Sequence, residues 1–132
     1  GIQLCYHNHD FEFISDDALT PFEFLMENTD PAIVSFEVDL GWVHYAGVDT
    51  IQLLNKYGHR IPILHMKDIR ANYENTPKFV PLGDGDTPFE DLIPIIDKMD
   101  IAWFMTEQDE CDTDSVQCAI YNLDKCKAML RN

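Results

Sequence analysis

The sequence predicts an α/β fold of four consecutive βα units around a parallel sheet, and three observations carry that prediction. Four apolar runs of strand length recur along the chain: Ile2-Gln3-Leu4-Cys5-Tyr6, Ile33-Val34-Ser35-Phe36-Glu37-Val38, Ile61-Pro62-Ile63-Leu64 and Ile101-Ala102-Trp103-Phe104-Met105-Thr106. A helical pattern follows each run. The runs end in polar groups able to bind a metal: His7, Asp39, His65 and Glu107. Strands alternating with helices imply parallel pairing through right-handed crossovers. Parallel strands bring their C-terminal ends together, so two imidazoles and two carboxylates converge as a divalent-metal site requires.

The helices are marked by their caps. In Thr20-Pro21-Phe22-Glu23, Thr stands at the N-cap, Pro at the first helical position and Glu three residues after the cap, which is a capping box. The same pattern recurs in Thr87-Pro88-Phe89-Glu90. Asp49 with Gln52 opens a third helix, which Gly58 ends. Asp112 or Thr113 opens the last helix, with Val116, Ala119, Ile120, Leu123 and Cys126 at helical spacing. The longest connection, about Asp68 to Asp86, carries Gly83-Asp84-Gly85 and leaves the third strand on the side of the metal-competent groups. A loop of that length is usually functional or mobile. No linker divides the chain, so residues 1–132 read as one domain.

Four βα units amount to half of a (β/α)8 barrel, which takes roughly 250 residues. A half-barrel leaves two sheet edges and an apolar sheet face uncovered. Homodimerisation, association with a missing N-terminal half, or an open arrangement would each cover them. Gly1 leads straight into a strand, which reads as a piece or a processed product.

With 24 acidic against 9 basic residues, the formal charge is −15. That field repels phosphate backbones and anionic lipid, which argues against nucleic-acid and membrane partners while suiting a metal cation. The same charge also serves solubility. Cys5, Cys111, Cys118 and Cys126 form no Cys-x-x-Cys pair, so a structural zinc site is not expected, and the usage fits a reducing, cytoplasmic setting. No apolar run approaches the roughly 20 residues of a membrane span, and no signal-peptide pattern is present.

The strand ends hold further chemistry. His7 and His9 stand at i, i+2 and share a strand face, so both can face the site, or can pack against aromatics. Glu37 and Asp39 also share a face; Asp39 at the rim is the better ligand, and Glu37 can pair with a cation such as Lys67. Lys67 can steady an oxyanion. Trp42 offers an apolar wall for a sugar, and Arg70 and Glu12 are candidate polar contacts to a substrate. Glu107 completes the ligand set, while Asp109, Glu110, Asp112 and Asp114 are expected to charge the start of the last helix. Gly83-Asp84-Gly85 lacks the spacing of a phosphate-binding loop, and no Gly-x-Ser-x-Gly elbow occurs.

The strand ends resemble the sugar phosphate isomerase/epimerase family, the xylose-isomerase-like TIM barrels. The matching segments are Tyr6-His7-Asn8-His9-Asp10-Phe11-Glu12-Phe13, Asp39-Leu40-Gly41-Trp42, His65-Met66-Lys67-Asp68, Pro81-Leu82-Gly83-Asp84-Gly85 and Glu107-Gln108-Asp109. They correspond to the C-terminal half of the family's barrel. The resemblance implies a divalent metal (Mn, Zn, Co or Mg) held at the ends of four strands. Asp39, His65 and Glu107 match the ligand types. His7 stands where many members have Glu, so the family's pair of acid–base glutamates is not carried over, and Trp42 stands where some epimerases have a substrate-binding His. The resemblance implies proton transfer next to a sugar or polyol ketone by Glu107, with Lys67 or His9 steadying the enediolate or carrying the second proton. Isomerisation, epimerisation and the dehydration of inosose dehydratases all fit that scheme. Two other readings stand beside it. One is a half-barrel that only associates, with or without a bound metal. The other is a DNA-repair endonuclease of the endonuclease IV type, which the acidic balance disfavours.

Overall fold

The computed structural model describes residues 2–15, 18–73 and 76–131, with only the backbone described at 72, 73, 76 and 77. Gly1, and residues 74 and 75 of the long connection, lie outside it. Along the chain run β1 (Leu4–His7), a 3₁₀ turn (Phe11–Phe13), α1 (Pro21–Asn28), β2 (Val34–Asp39), α2 (Leu40–Tyr45) and α3 (Thr50–Tyr57). After these come β3 (Ile63–Met66), β4 (Asp68–Tyr73), β5 (Thr76–Val80), α4 (Phe89–Ile96), β6 (Trp103–Thr106) and α5 (Ser115–Met129).

Four strands form one sheet in the order β1-β2-β3-β6, and every neighbouring pair is parallel. The four expected strands are thus present, each starting one or two residues later than expected. Side chains alternate across the sheet. Phe36 and Val38 of β2, with Leu64 and Met66 of β3, face the helices and are buried with Phe22, Met26, Val43, Leu53, Leu54, Leu92 and Ile96. Glu37, Asp39 and His65 take the alternate positions. Arg60, buried behind α3, donates to the carbonyls of Met26 and Val34 at 2.6 and 2.8 Å and ties the end of α1 to the start of β2.

The caps decide where the helices begin. Thr20 and Glu23 form the expected capping box. Asp49 accepts from the Gln52 N–H, and the Gly58 N–H closes α3 onto Leu54. The second Thr-Pro-Phe-Glu does not repeat the box. α4 starts one residue later than expected, and the Thr87 hydroxyl turns to the Lys67 carbonyl at 3.4 Å while its N–H donates to Asp68. α5 is capped by Asp114, whose side chain accepts from Gln117, and not by Asp112 or Thr113. Of its five expected core positions only Cys126 is buried; Cys118 and Asn122 complete the docked face, and Val116, Ala119, Ile120 and Leu123 are exposed. α5 packs against β6 at the edge of the sheet through Cys118, Asn122 and Cys126, and its apolar stripe faces away from that contact.

Two elements were not expected. β4 and β5 pair antiparallel within the stretch where a long loop is predicted. α2 starts directly at the end of β2, because the Asp39 side chain caps it. Among the described residues no helix is long and apolar enough to cross a membrane.

Candidate metal centre

The parallel register puts Asp39 of β2 directly beside His65 of β3, with His7 at the end of β1 and Glu107 just past β6. One donor atom from each of His7, Asp39, His65 and Glu107 lies within 4.8 Å of the others. The His65 Nδ1 is 3.1 Å from Glu107 Oε2 and 3.8 Å from Asp39 Oδ2, and the His7 Nε2 is 3.9 Å from the same Oδ2.

Asp39 divides its carboxylate between two tasks. Its Oδ1 accepts from the N–H groups of Gly41 and Trp42 at 3.0 and 3.1 Å and so caps α2. Its Oδ2 is buried and turned toward the two imidazoles, with the Lys67 ammonium 3.2 Å away. A buried, oriented carboxylate oxygen between two imidazoles is what a metal cation would satisfy. Burial raises the Asp39 pKa, and the Lys67 ammonium opposes that rise. Asn8, fully buried, accepts the Asp39 N–H at 3.0 Å and joins the ends of β1 and β2. Burial, and then the neighbouring His65, lower the His7 pKa, which keeps that imidazole neutral with a lone pair to offer.

Lys67 is 1% exposed. Its Nζ lies 3.2 Å from Asp39 Oδ2, 3.0 Å from Glu107 Oε2 and 2.9 Å from Asp109 Oδ1. Burial is the largest single influence on it and pulls its pKa down, but the three carboxylates together outweigh burial and raise it. The ammonium is therefore retained at neutral pH. Burial likewise pushes Glu107 up, and Lys67 and His65 together bring it below its ordinary value, so it stands as a carboxylate. Three carboxylates, those of Asp39, Glu107 and Asp109, surround this one ammonium, and a fourth, Glu37, lies against His65. The surplus of negative charge and the mixed nitrogen and oxygen donors both fit a divalent cation.

The pairings differ from the expected ones at two residues. Glu37 does not reach Lys67; it lies against Nε2 of His65. Asp109 does not serve the start of α5; it pairs with Lys67. Alternation along β2 gives the face of Glu37 but not its partner, and Asp109 lies past the end of β6, beyond the reach of strand alternation.

The remaining candidates lie around the cluster at different distances. His9 stacks on Phe11 and sits 5.5 Å from the Trp42 ring and 5.1 Å from His7. Trp42 is buried between His9, Tyr45 and Phe79, with Lys67 Nζ 5.4 Å from its ring. Phe79, on the unexpected strand β5, could not be assigned from sequence. Glu12 is 2% exposed and already engaged, accepting from the Tyr6 hydroxyl at 2.7 Å and the His9 N–H at 2.8 Å. It holds His9 in place. Arg70 is exposed, and its guanidinium bonds to the Asp84 carbonyl, apart from the cluster.

No profile of a known protein family matches the chain. It is 30% identical over 125 residues to inosose dehydratase 1 of Bacillus cereus, an alignment that covers 83% of this chain and 41% of that protein. The chain therefore spans less than half the length of the curated relatives it matches. Its fold superimposes on a sugar phosphate isomerase/epimerase from Parabacteroides distasonis with a TM-score of 0.77 at 23% identity, over 99% of this chain and 46% of that one. A probable 3-DHS dehydratase from Bacillus anthracis matches with a TM-score of 0.65 at 16% identity, over 99% and 50%. The resemblance seen at the strand ends thus extends to the whole fold: the chain's structural neighbours are sugar phosphate isomerase/epimerase and xylose-isomerase-like proteins, and inosose dehydratases are its relatives in sequence.

Proposed function

We propose that the chain is the C-terminal half of a xylose-isomerase-like barrel and carries the metal site of an isomerase, epimerase or dehydratase acting on a sugar or polyol-derived ketone. The observation that carries this reading is the gathering of one donor atom each from His7, Asp39, His65 and Glu107 within 4.8 Å. Names among the relatives and neighbours, inosose dehydratase and sugar phosphate isomerase/epimerase, support the substrate class.

A divalent cation held by these four side chains, with Mn, Zn, Co or Mg as candidates, would polarise a substrate carbonyl and acidify the adjacent C–H. Glu107, kept ionised by Lys67 and His65, is the proton acceptor. Lys67, kept charged by three carboxylates, steadies the oxygen on which negative charge develops and cannot itself act as a base at neutral pH. His9, fixed by Glu12 and flanked by Phe11 and Trp42, is placed to return a proton at a second carbon or to a departing hydroxyl. Trp42 and Phe79 form the apolar wall against which a ring or carbon chain would lie.

The test is deuterium wash-in. A ketose or inosose incubated in D2O with the protein and Mn²⁺ or Co²⁺ should gain deuterium next to the carbonyl, and Glu107→Gln should abolish the exchange. An exchange rate unchanged by metal removal or by E107Q defeats the proposal.

A specific observation favours a second reading, in which the chain alone binds metal without turnover. Trp103 and Met105 of the edge strand β6 are 67% and 46% exposed. Four more strands, from a second copy or from an N-terminal half, would cover them and build the other wall of the substrate pocket. Metal uptake without wash-in by the chain alone, and wash-in by the completed assembly, would identify this case.

A further inference from the structure

We infer that Glu37 is the positioning residue that decides which nitrogen of His65 faces the cation. This assignment rests on the proposed reading of the cluster as a metal site. Glu37 pairs with Ile63 across β2 and β3, and Asp39 pairs with His65, so Glu37 and His65 are diagonal neighbours on one sheet face. The Glu37 Oε1 lies against the Nε2 of His65. The other ring nitrogen, Nδ1, faces Glu107 Oε2 at 3.1 Å and Asp39 Oδ2 at 3.8 Å.

An ionised carboxylate only accepts hydrogen bonds, so a ring nitrogen that touches one donates to it, and both His65 nitrogens face carboxylates. A cation can displace the proton only on the Nδ1 side, where Glu107 and Asp39 are ligands themselves; Nε2–H stays on Glu37, and Nδ1 supplies the lone pair. A carboxylate behind a metal-bound histidine also fixes the plane of the ring and increases its basicity. Glu37 is not a fifth ligand: the donor atoms that gather within 4.8 Å come from His7, Asp39, His65 and Glu107. His7 makes a useful contrast. Its Nδ1 is buried and bonded to no described residue, so no acceptor sets its tautomer. Of the two imidazoles, His65 is the one anchored before a metal arrives.

The experiment uses the 132-residue chain loaded with Zn²⁺. Long-range ¹H–¹⁵N spectra of the histidine rings should show His65 with a protonated Nε2 and zinc on Nδ1. Zn²⁺ titrations of wild type, Glu37→Gln and Glu37→Ala should give affinities falling in that order, with about a 10–100-fold loss in E37A and a smaller loss in E37Q, whose amide oxygen still accepts. Should E37A fail to fold, E37Q carries the titration alone, and an affinity equal to wild type overturns the assignment. Zinc on Nε2, or a folded E37A that binds as tightly as wild type, overturns it too while leaving the metal site standing. A wild-type chain that takes up no Zn²⁺ removes the metal reading and this assignment together.

Discussion

A Cβ on Gly85 would lie 2.2 Å from the Oδ1 of Asp68, so the glycine backbone and the buried carboxylate fill each other's side-chain space. That closeness lets Asp68 accept from the N–H groups of Gly83, Gly85 and Thr87 at 2.8, 2.9 and 3.1 Å, as well as from Ile69 at 3.0 Å. Gly83 adds a φ of +89°, which a residue with a side chain adopts only under strain. The Gly-Asp-Gly segment is thus a cradle for an internal carboxylate. Asp68 sits immediately after Lys67, so the cradle fixes the strand end that carries the ammonium.

Gly85→Ala should therefore destabilise the chain by about 1–3 kcal/mol, as overpacking does. Asp68→Ala should cost about 3 kcal/mol or more, because it strands several buried N–H groups at once. Asp68→Asn, which keeps one accepting oxygen, should fall between wild type and D68A. Urea unfolding reads all three, and a G85A midpoint equal to that of wild type would show that the cradle yields freely.

The division of Asp39 makes its two roles separable. Asp39→Asn keeps an oxygen to cap α2 but replaces the cation-facing oxygen with an amide NH₂. Asp39→Ala removes both. D39N and D39A should lose metal affinity alike, by about 100-fold or more, whereas D39A should be the less stable by about 1 kcal/mol, the usual worth of an N-cap. Isothermal titration and thermal unfolding of the pair give the two numbers. Retained metal affinity in D39N would mean that Oδ2 is not a ligand.

The support under His9 has a signature at high pH. The hydrogen bond to Glu12, then burial, then the carboxylate's charge push the Tyr6 hydroxyl up to about 12. A group whose folded pKa is raised contributes stability that is present below its unfolded value of 10.0 and is lost as pH rises through about 12. Absorbance titration of tyrosinate should therefore show one late-ionising phenol, and Glu12→Gln should move it back toward 10. Stability should fall across that window in wild type and fall less in Tyr6→Phe. A wild-type titration with no late phenol would show that Glu12 does not hold this hydroxyl.

Much of this arrangement was legible in the sequence. The four strands and the capped starts of α1 and α3 follow from local pattern, because apolar runs, Thr-Pro-x-Glu and Asp-x-x-Gln act through neighbours in the chain. The four proposed ligands follow from one further step, that parallel strands share an end. What sequence did not reveal depends on contacts across the fold. Thr87 gives up its cap because Asp68 and the Lys67 carbonyl claim it. Glu37 and Lys67 share a sheet face with several candidate partners, and strand register decides among them. The β4–β5 pair breaks the strand pattern with charged and polar residues, so Phe79 could not be placed beside Trp42. The apolar stripe of α5 has the spacing of a core face, but helical spacing records an apolar face without recording what covers it.

That uncovered stripe yields a prediction about assembly. Val116, Ile120 and Leu123 are 61%, 50% and 45% exposed. They lie on the helix that follows β6, whose Trp103 and Met105 are exposed too. At the opposite edge of the sheet Leu4 is 59% exposed. Open parallel edges bordered by apolar side chains favour association with further strands. Against this stands the charge of −15 per chain, which makes two copies repel at long range. Salt screens that repulsion, with a Debye length of about 10 Å at 0.1 M, but leaves apolar burial intact. Light scattering after size exclusion should therefore show a shift to larger species as salt rises from about 0.02 to 0.5 M. Trp103→Glu should suppress the shift, because it places a charge on the face that would be buried. A particle of one chain's mass at every salt and protein concentration would eliminate a second copy as what covers these apolar faces.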